Sequence, residues 1–382
     1  MKKWLIGVII LIFIFLSTIT ALAYFVLKTG KRSPTENHKR LTPKLALSKR
    51  FGISLGGNWP ELSDEELESA LDDIAGLGFT WIRFDVSWER AQPEKNGPIR
   101  WEEFDRIFPA AAKRKLNLLP ILTYAPKWAA MPIQEEVFFQ LAPADPDQFA
   151  DFAAKAARRY SPMGIHTYEI WNEPNLKGFW EPASDPKDYT EVLKKSYIKI
   201  KQVDPKAFIV SGGLAPVKTR DGNISALEFL EEVYENGGKN YFDALAFHPY
   251  AFPDLPGEKL SPSGWWARMS NPISSIRSVM DANGDEGKQI WGTEFGVPTF
   301  GRKDVSESLQ AKSIASAAEE MQDMPWLRIL FIHTYKDLAA DKRFAENSFG
   351  LVRFDGTKKP AYYTTKKLLK EKTNRENKRY KN

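Results

Sequence analysis

The sequence predicts an α/β fold, a (β/α)8 TIM barrel preceded by an N-terminal transmembrane helix. Eight short apolar segments follow one another between residues 51 and 332, and the chain between successive segments is long enough for a returning helix. The chain has no 20–50-residue repeat of the kind that indicates a solenoid. Two of the apolar segments each end in a single glutamate, as the strand ends of such a barrel often do.

The apolar run at residues 5–27 is uncharged and long enough to cross a bilayer as a helix. Ala21-Leu22-Ala23 resembles a signal-peptidase site, and cleavage there would release the protein. The run continues through Tyr24–Leu27 beyond that site, which favours an uncleaved anchor. We therefore expect a signal anchor over residues 1–27, followed by a basic linker over 28–50.

Basic residues are concentrated at the two ends of the chain. The net charge is +5, but residues 1–50 carry +9 and the predicted basic tail at 366–382 carries +6, so residues 51–365 carry −10. A basic protein invites a nucleic-acid hypothesis, but here the part expected to fold is acidic. We therefore expect no nucleic-acid partner. The tails suit an anionic membrane or wall surface, or serve solubility alone.

Cysteine and histidine usage excludes several kinds of chemistry. The chain has no cysteine, which rules out disulfides, thiolate metal sites and a cysteine nucleophile. Its four histidines are scattered and form no His-x-x-x-His pair. We expect neither a metal nor a cofactor.

The predicted strands share apolar character and flanking turn residues. In order they are Phe51–Leu55, Phe79–Phe84, Leu116–Thr123, His166–Trp171, Phe208–Ser211, Phe242–Phe247, Gln289–Gly292 and Leu327–Ile332. Helical periodicity between them predicts the helices Asp147–Arg159, Asp188–Val203, Ala226–Glu235 and Ser306–Gln322.

The first predicted helix has a clear beginning and end. Ser63 and Glu66 form a capping box, and Gly78 is expected to end the helix in a left-handed conformation. The apolar face between them consists of Leu67, Leu71, Ile74 and Leu77.

Two glutamates lie at predicted strand ends. Glu173 follows the fourth strand and Glu294 follows the seventh. Because the C-terminal ends of all barrel strands converge on one face, we expect the two carboxylates to face each other. Two carboxylates so placed are what glycoside hydrolysis requires.

The motifs around these glutamates carry a family resemblance. Trp171-Asn172-Glu173-Pro174-Asn175 and Thr293-Glu294-Phe295-Gly296 resemble the signatures of clan A glycoside hydrolases. The layout of residues 51–365 is most similar to family 39 and its family-5-like relatives, which include β-xylosidases and exopolysaccharide hydrolases. The resemblance implies a retaining mechanism with Glu294 as nucleophile and Glu173 as general acid/base.

The resemblance also implies supporting roles for four residues. Asn172 would hydrogen-bond the sugar 2-hydroxyl, and Arg83 matches the arginine that keeps the nucleophile ionised. A simpler interpretation of Arg83 is an ion pair at the barrel end. Tyr250 is expected to donate a hydrogen bond to the nucleophile, and His248 to contact sugar hydroxyls.

Aromatic residues near strand ends are expected to bind sugar, because indole faces stack on the C–H faces of pyranose rings. Tyr335, just after strand eight, lies where the clan commonly places an aromatic platform, often a tryptophan that this chain lacks. Barrel packing is the alternative interpretation of the tryptophans. Those expected to line the cleft are Trp88, Trp128, Trp180, Trp265 and Trp266.

These features predict a membrane-anchored retaining glycoside hydrolase that cleaves O-glycosidic bonds inside a polysaccharide. The alternatives are an exo-acting β-glycosidase such as a β-xylosidase, or a non-catalytic polysaccharide-binding barrel. Basic residues after the apolar run would by themselves keep the domain in the cytoplasm. We nevertheless expect a single-pass cell-membrane protein with its catalytic domain outside, or a secreted one if cleavage follows Ala23.

Overall fold

The computed structural model describes residues 45–57, 59–132, 140–258, 266–271, 274–303 and 305–379, with side chains up to Lys370. The predicted anchor and most of the predicted linker lie outside the described residues. Within the described part of the chain, no helix combines the length and the apolar character needed to span a bilayer.

The strands of the described chain form a closed, fully parallel barrel in the order β1 to β8, and β1 pairs with both β2 and β8. This confirms the predicted barrel. The strands are β1 (Phe51–Ser54), β2 (Trp81–Ser87), β3 (Asn117–Thr123), β4 (Thr167–Ile170), β5 (Phe208–Val210), β6 (Ala244–Phe247), β7 (Gln289–Phe295) and β8 (Leu327–His333).

Helices follow the strands and cover the outside of the barrel. Those of the described residues are α1 (Asp64–Leu77), α2 (Trp88–Ala91), α3 (Glu102–Asp105), α4 (Ile107–Lys113), α5 (Pro146–Tyr160), α6 (Pro186–Val203), α7 (Ala226–Glu235), α8 (Ala267–Ser270), α9 (Ile276–Ala282), α10 (Glu307–Glu320) and α11 (Pro360–Arg379).

The ends of α1 agree with the prediction. The Ser63 side chain accepts a hydrogen bond from the backbone N–H of Glu66, and the Glu66 carboxylate accepts one from the backbone N–H of Ser63. Gly78 ends the helix with φ 104°, a conformation that glycine adopts without steric cost.

The packed domain extends beyond both predicted boundaries. Arg50, assigned to the linker, is buried and donates hydrogen bonds to the carbonyls of Met321 and Leu327. Helix α11 runs through the predicted boundary at residue 365, and Leu369 within it is buried against Gly78. The barrel therefore needs residues on both sides of 51–365.

The barrel interior is layered along β2. Side chains alternate across a strand, so Trp81, Arg83 and Asp85 point inward in succession. Trp81 packs edge-on against Trp291, with ring centroids 5.1 Å apart, in an apolar floor. The other buried members of this floor are Leu119, Val210, Ala244, Ala246, Ile329 and Phe331. The polar side chains of the β2 layers, Arg83 and Asp85, lie above this apolar floor.

Candidate active site

The C-terminal ends of the strands surround a cleft of about 850 Å³. Several sequence-predicted site residues line it together, namely Arg83, Asn172, Glu173, Tyr250 and Glu294. They come from β2, β4, β6 and β7 or from the residues that follow these strands. The fold thus unites side chains that are more than 200 positions apart in sequence.

Glu173 sits on a strained segment after β4. Trp171 and Glu173 have φ values of 74° and 49°, a left-handed region that costs non-glycine residues about 1–3 kcal/mol. The backbone N–H of Glu173 donates to the carbonyl of Gly213 at 2.9 Å, and the indole of Trp171 is completely buried. Packing therefore holds the conformation that aims Glu173 into the cleft.

Glu294 is turned inward by a bulge in β7. Gly292 pairs with Leu330 and Phe295 with Ile332, so three steps on β7 oppose two on β8. The extra residue reverses the alternation of side chains. Trp291 in the floor and Glu294 in the cleft can therefore both face the interior although they are three residues apart.

The two glutamates lie close together. One carboxylate oxygen of Glu173, one of Glu294 and Nδ1 of His248 all lie within 4.8 Å of one another. Retaining glycosidases have carboxyl groups about 5–5.5 Å apart, whereas inverting enzymes need about 6.5–9.5 Å to admit a water molecule. The observed spacing agrees with the retaining arrangement.

Cations and donors surround the carboxylate of Glu294. Arg83 Nη1 lies 2.7 Å from Oε1, and the Tyr250 hydroxyl donates to Oε2 at 2.9 Å. Burial alone raises the pKa of Glu294, but His248, His333, Arg83 and the Tyr250 hydrogen bond together outweigh it and hold that pKa well below its usual range. Glu294 is therefore a carboxylate, as a nucleophile must be.

Arg83 is held in place by a residue that the sequence analysis missed. Glu169 is completely buried in β4 and accepts hydrogen bonds from Arg83 Nε at 2.7 Å and Nη2 at 3.0 Å. Arg83 Nη2 also donates to Asn172 Oδ1 at 2.7 Å. A lone acidic residue inside the apolar segment Thr167–Ile170 was the available signal, since a buried carboxylate requires a partner.

His248 does not have the expected role. Its side chain is completely buried, and Nδ1 lies 2.8 Å from Glu173 Oε1. A Cβ atom at Gly213 would come within 2.2 Å of Nε2, so only glycine fits beside this ring. His248 therefore supports the carboxylate of Glu173 and is not placed to contact sugar hydroxyls.

The tryptophans that the structure describes do not line the cleft, which corrects the prediction for four of them. Indoles near the strand ends bury more apolar surface between strands and helices than they would in an open cleft. Trp88 is buried and stacks on Phe152, with ring centroids 5.6 Å apart, and Trp128 is partly buried against Trp88. Trp180 and Trp266 are buried too, and Trp265 lies outside the described residues.

Tyr335 also lies away from the cleft. Its hydroxyl donates to Asp73 at 3.0 Å, in a groove between α1 and the chain after β8. The residue at the end of β8 that lines the cleft is instead His333, whose ring centroid lies 5.3 Å from that of Phe349. The aromatic side chains in the cleft lining are Phe84, Phe104, Tyr124, Phe179, Tyr250, Phe252 and Phe349.

Glu173, His248 and Glu294 are also close enough to suggest metal ligands. However, Glu294 already accepts from Arg83 and Tyr250, and His248 Nδ1 is engaged with Glu173. A metal ion would have to displace these hydrogen bonds. The arrangement fits a hydrogen-bonded pair of catalytic carboxylates better than a metal centre.

Comparison with known proteins agrees with this geometry. Residues 46–327 match the sequence model of the cellulase family, glycosyl hydrolase family 5.

Solved structures share the fold. A family 39 glycoside hydrolase from Bacteroides cellulosilyticus WH2 is 22% identical with a TM-score of 0.66, over 86% of this chain and 65% of that one. A monomeric β-xylosidase from Caulobacter crescentus CB15 is 21% identical with a TM-score of 0.63, over 86% and 69%. An endo-β-1,4-glucanase from Xanthomonas axonopodis pv. citri is 19% identical with a TM-score of 0.58, over 85% and 99%. The present chain thus spans slightly less than two thirds of the first of these proteins.

Proposed function

Because the chain belongs to glycoside hydrolase family 5, we propose that it cleaves O-glycosidic bonds by a retaining double displacement, with Glu294 as nucleophile and Glu173 as general acid/base. The observation that carries this proposal is the placement of the two carboxylates within 4.8 Å of each other in one cleft. The hydrogen-bond partners of the two carboxylates differ, as two different roles require. Glu294 accepts hydrogen bonds from Arg83 and Tyr250, whereas Glu173 is hydrogen-bonded to His248.

In the first step, a Glu294 oxygen attacks the anomeric carbon, and the bond from that carbon to the leaving oxygen breaks. Glu173 gives its proton to the departing oxygen. In the second step, Glu173 takes a proton from water, the water oxygen bonds to the anomeric carbon, and the ester bond to Glu294 breaks. Two inversions give net retention.

The neighbours of the pair keep each carboxyl group ready for its role. Arg83 and Tyr250 hold both oxygens of Glu294, which fixes the direction of attack. Asn172 Oδ1 accepts from Arg83, and one N–H of Nδ2 makes a long 3.4 Å bond to the Tyr124 hydroxyl. The second N–H of Nδ2 is the group left to donate to a sugar hydroxyl. Such a bond to the 2-hydroxyl strengthens in the transition state.

We propose a β-linked polysaccharide as substrate. Its support is the size of the cleft, about 850 Å³, near the upper end of the usual range for ligand pockets. The names of similar structures include a β-xylosidase, an exo-β-1,4-mannosidase and an endo-β-1,4-glucanase, so β-linkages are common to both exo- and endo-acting neighbours. An exo-acting β-glycosidase is therefore the second candidate.

Product analysis separates these candidates. Full-length protein in detergent is incubated with β-xylan, β-mannan, β-glucan and bacterial exopolysaccharides, and viscosity is followed together with reducing ends. Internal cleavage lowers viscosity early and yields oligosaccharides. Release of monosaccharides at constant viscosity would favour exo action. Activity on no glycoside of any kind would contradict the proposed function.

We further propose that the domain is held at the outer face of the cell membrane. The support is the apolar run at residues 5–27, which continues past the signal-peptidase-like site at Ala23. Membrane fractionation and N-terminal sequencing test this proposal. A mature N-terminus at Tyr24, or recovery of the protein from culture medium, would contradict it.

A further inference from the structure

Asp85 occupies the layer of the barrel interior above Arg83. It follows Arg83 by two residues on β2, so its side chain points to the same side. At about 3.3 Å per residue, its Cα lies roughly 6.6 Å further along the tilted strand, in the direction of the mouth of the cleft. Arg83 Nη1 contacts Glu294, and Asp85 lines the same cleft. Asp85 is thus one layer above the support of the nucleophile, at the level where a bound sugar would lie.

The carboxylate of Asp85 has no partner among the described residues. Within the described part of the chain, its oxygens take part in no hydrogen bond and no ion pair, although its backbone carbonyl accepts from the indole of Trp59 at 3.2 Å. Gly57 beside it leaves the carboxylate open, since even a Cβ there would be 3.9 Å from Oδ2.

This lack of a partner has a cost. Burial raises the pKa of Asp85, and the positive charge of Arg83 lowers it. The negative charges of Glu294 and Glu169 raise it further, so that the resulting pKa is about 6. A partly buried carboxylate without donors destabilises the folded protein. Donors supplied by a ligand would remove that cost.

The other charged groups of the cleft differ from Asp85. Arg83 is already engaged with Glu169, Glu294 and Asn172. The Glu89 side chain is exposed and can be satisfied by water. Glu346 also lines the cleft, but its side chain is exposed. Among the described residues of the cleft lining, Asp85 is therefore the partly buried carboxylate without a hydrogen bond.

We propose that Asp85 is a specificity-determining residue whose two carboxylate oxygens accept hydrogen bonds from hydroxyl groups of the sugar bound next to the nucleophile. This assignment rests on the proposed glycosidase function. A carboxylate offers two acceptor oxygens, which match a pair of neighbouring hydroxyls. A site built to bond a hydroxyl rejects an analogue that lacks it, because the buried acceptor is then left unsatisfied.

A hydroxyl-deletion experiment tests the assignment. From 4-nitrophenyl β-D-xyloside, β-D-glucoside and β-D-mannoside, the substrate that full-length wild-type protein hydrolyses best is chosen. kcat/KM is measured on it and on its monodeoxy analogues, for wild type, Asp85→Ala and the control Glu231→Ala, at an exposed position on α7 that does not line the cleft. Hydrogen bonds to charged groups contribute about 1.5–3 kcal/mol, so we expect Asp85→Ala to lower kcat/KM about 10- to 150-fold on the parent.

The decisive result is the coupling between residue and hydroxyl. In wild type, one or two deoxy analogues should lose a factor of similar size, and in Asp85→Ala the same deletions should cost nothing further. Glu231→Ala should behave as wild type. The melting temperature of Asp85→Ala at pH 7 should equal or exceed that of wild type, which separates a binding role from damage to the fold.

Other outcomes overturn the assignment. Unchanged kcat/KM in Asp85→Ala, or an equal loss on every analogue, would show that Asp85 contacts no hydroxyl. Failure of the proposed function looks different, because the wild type itself would then hydrolyse neither these glycosides nor any of the polysaccharides.

Discussion

Arg83 and Glu169 form a bidentate ion pair directly beneath the candidate catalytic residues. Nε lies 2.7 Å from Oε2 and Nη2 lies 3.0 Å from Oε1, and both side chains are buried. The remaining Arg83 contacts reach Glu294 and Asn172. Glu169 thus fixes the guanidinium that contacts both Glu294 and Asn172.

Replacement of Glu169 by Gln should lower kcat at least tenfold with little change in KM. The substitution keeps the shape of the side chain but removes the charge that holds Arg83, so the guanidinium loses its orientation. The effect should vanish in an Arg83→Lys background, because Glu169 acts through Arg83. Additive losses in this double-mutant cycle would contradict the positioning role.

A matched control is available outside the cleft. Asp337 is also a buried carboxylate that accepts from a cation, Lys359 at 2.7 Å, and from a backbone N–H, that of Gly350 at 2.8 Å. Asp337→Asn should destabilise the fold to a similar extent but leave kcat unchanged. Equal kcat losses in both variants would reduce the effect of Glu169 to general destabilisation.

The Tyr250 hydroxyl should matter for activity and little for folding. Tyr250→Phe removes one hydrogen bond to the Glu294 carboxylate, worth about 1.5–3 kcal/mol, while the ring keeps its contacts with Phe252 and Phe349. We expect kcat/KM to fall about tenfold or more, while the melting temperature falls by no more than a few degrees. Tyr160→Phe is the control, because that buried tyrosine does not line the cleft; it should leave kcat/KM unchanged.

Protein stability should depend on the ionisation of Glu294. Its folded-state pKa lies below the unfolded value, so the stabilisation is present above about pH 4.3 and is lost as pH falls towards the folded pKa. The difference in melting temperature between wild type and Glu294→Gln should therefore be largest near pH 6 and should narrow progressively as pH falls below about 4.3. A gap that stays constant between pH 6 and pH 3 would contradict the depressed pKa.

Glycine at position 213 should be required by the neighbouring histidine. A Cβ there would lie 2.2 Å from His248 Nε2 and 2.6 Å from Thr293 Oγ1, so Gly213→Ala must displace the ring that contacts Glu173. We expect a loss of about 1–3 kcal/mol in the free energy of unfolding and a clear fall in kcat.

The control is Gly76→Ala in α1, where a Cβ meets nothing within 4 Å. Alanine is the better helix former, so we expect a gain of about 0.5–1 kcal/mol and normal kcat. Denaturant unfolding and steady-state kinetics of both variants test the pair. A Gly213→Ala protein with wild-type kcat would show that the position of His248 is unimportant.

The sequence predicted the barrel well because its strands are apolar and their order is simple. It placed Glu173 and Glu294 at the correct strand ends because polar motifs interrupt these strands abruptly. It could not predict the bulge in β7, which depends on pairing with β8. It also misplaced Trp88 and Trp180, since an indole near a strand end packs inward or lines a cleft according to neighbours that one sequence does not reveal.

The most direct test of the proposed mechanism is the anomeric configuration of the first-formed product. Proton NMR spectra are recorded during the first minutes of hydrolysis, before mutarotation, on the best β-linked substrate. Attack by Glu294 followed by attack of water predicts a β-configured product that later equilibrates. A first-formed α-anomer would mean single displacement and would contradict the role of Glu294 as nucleophile.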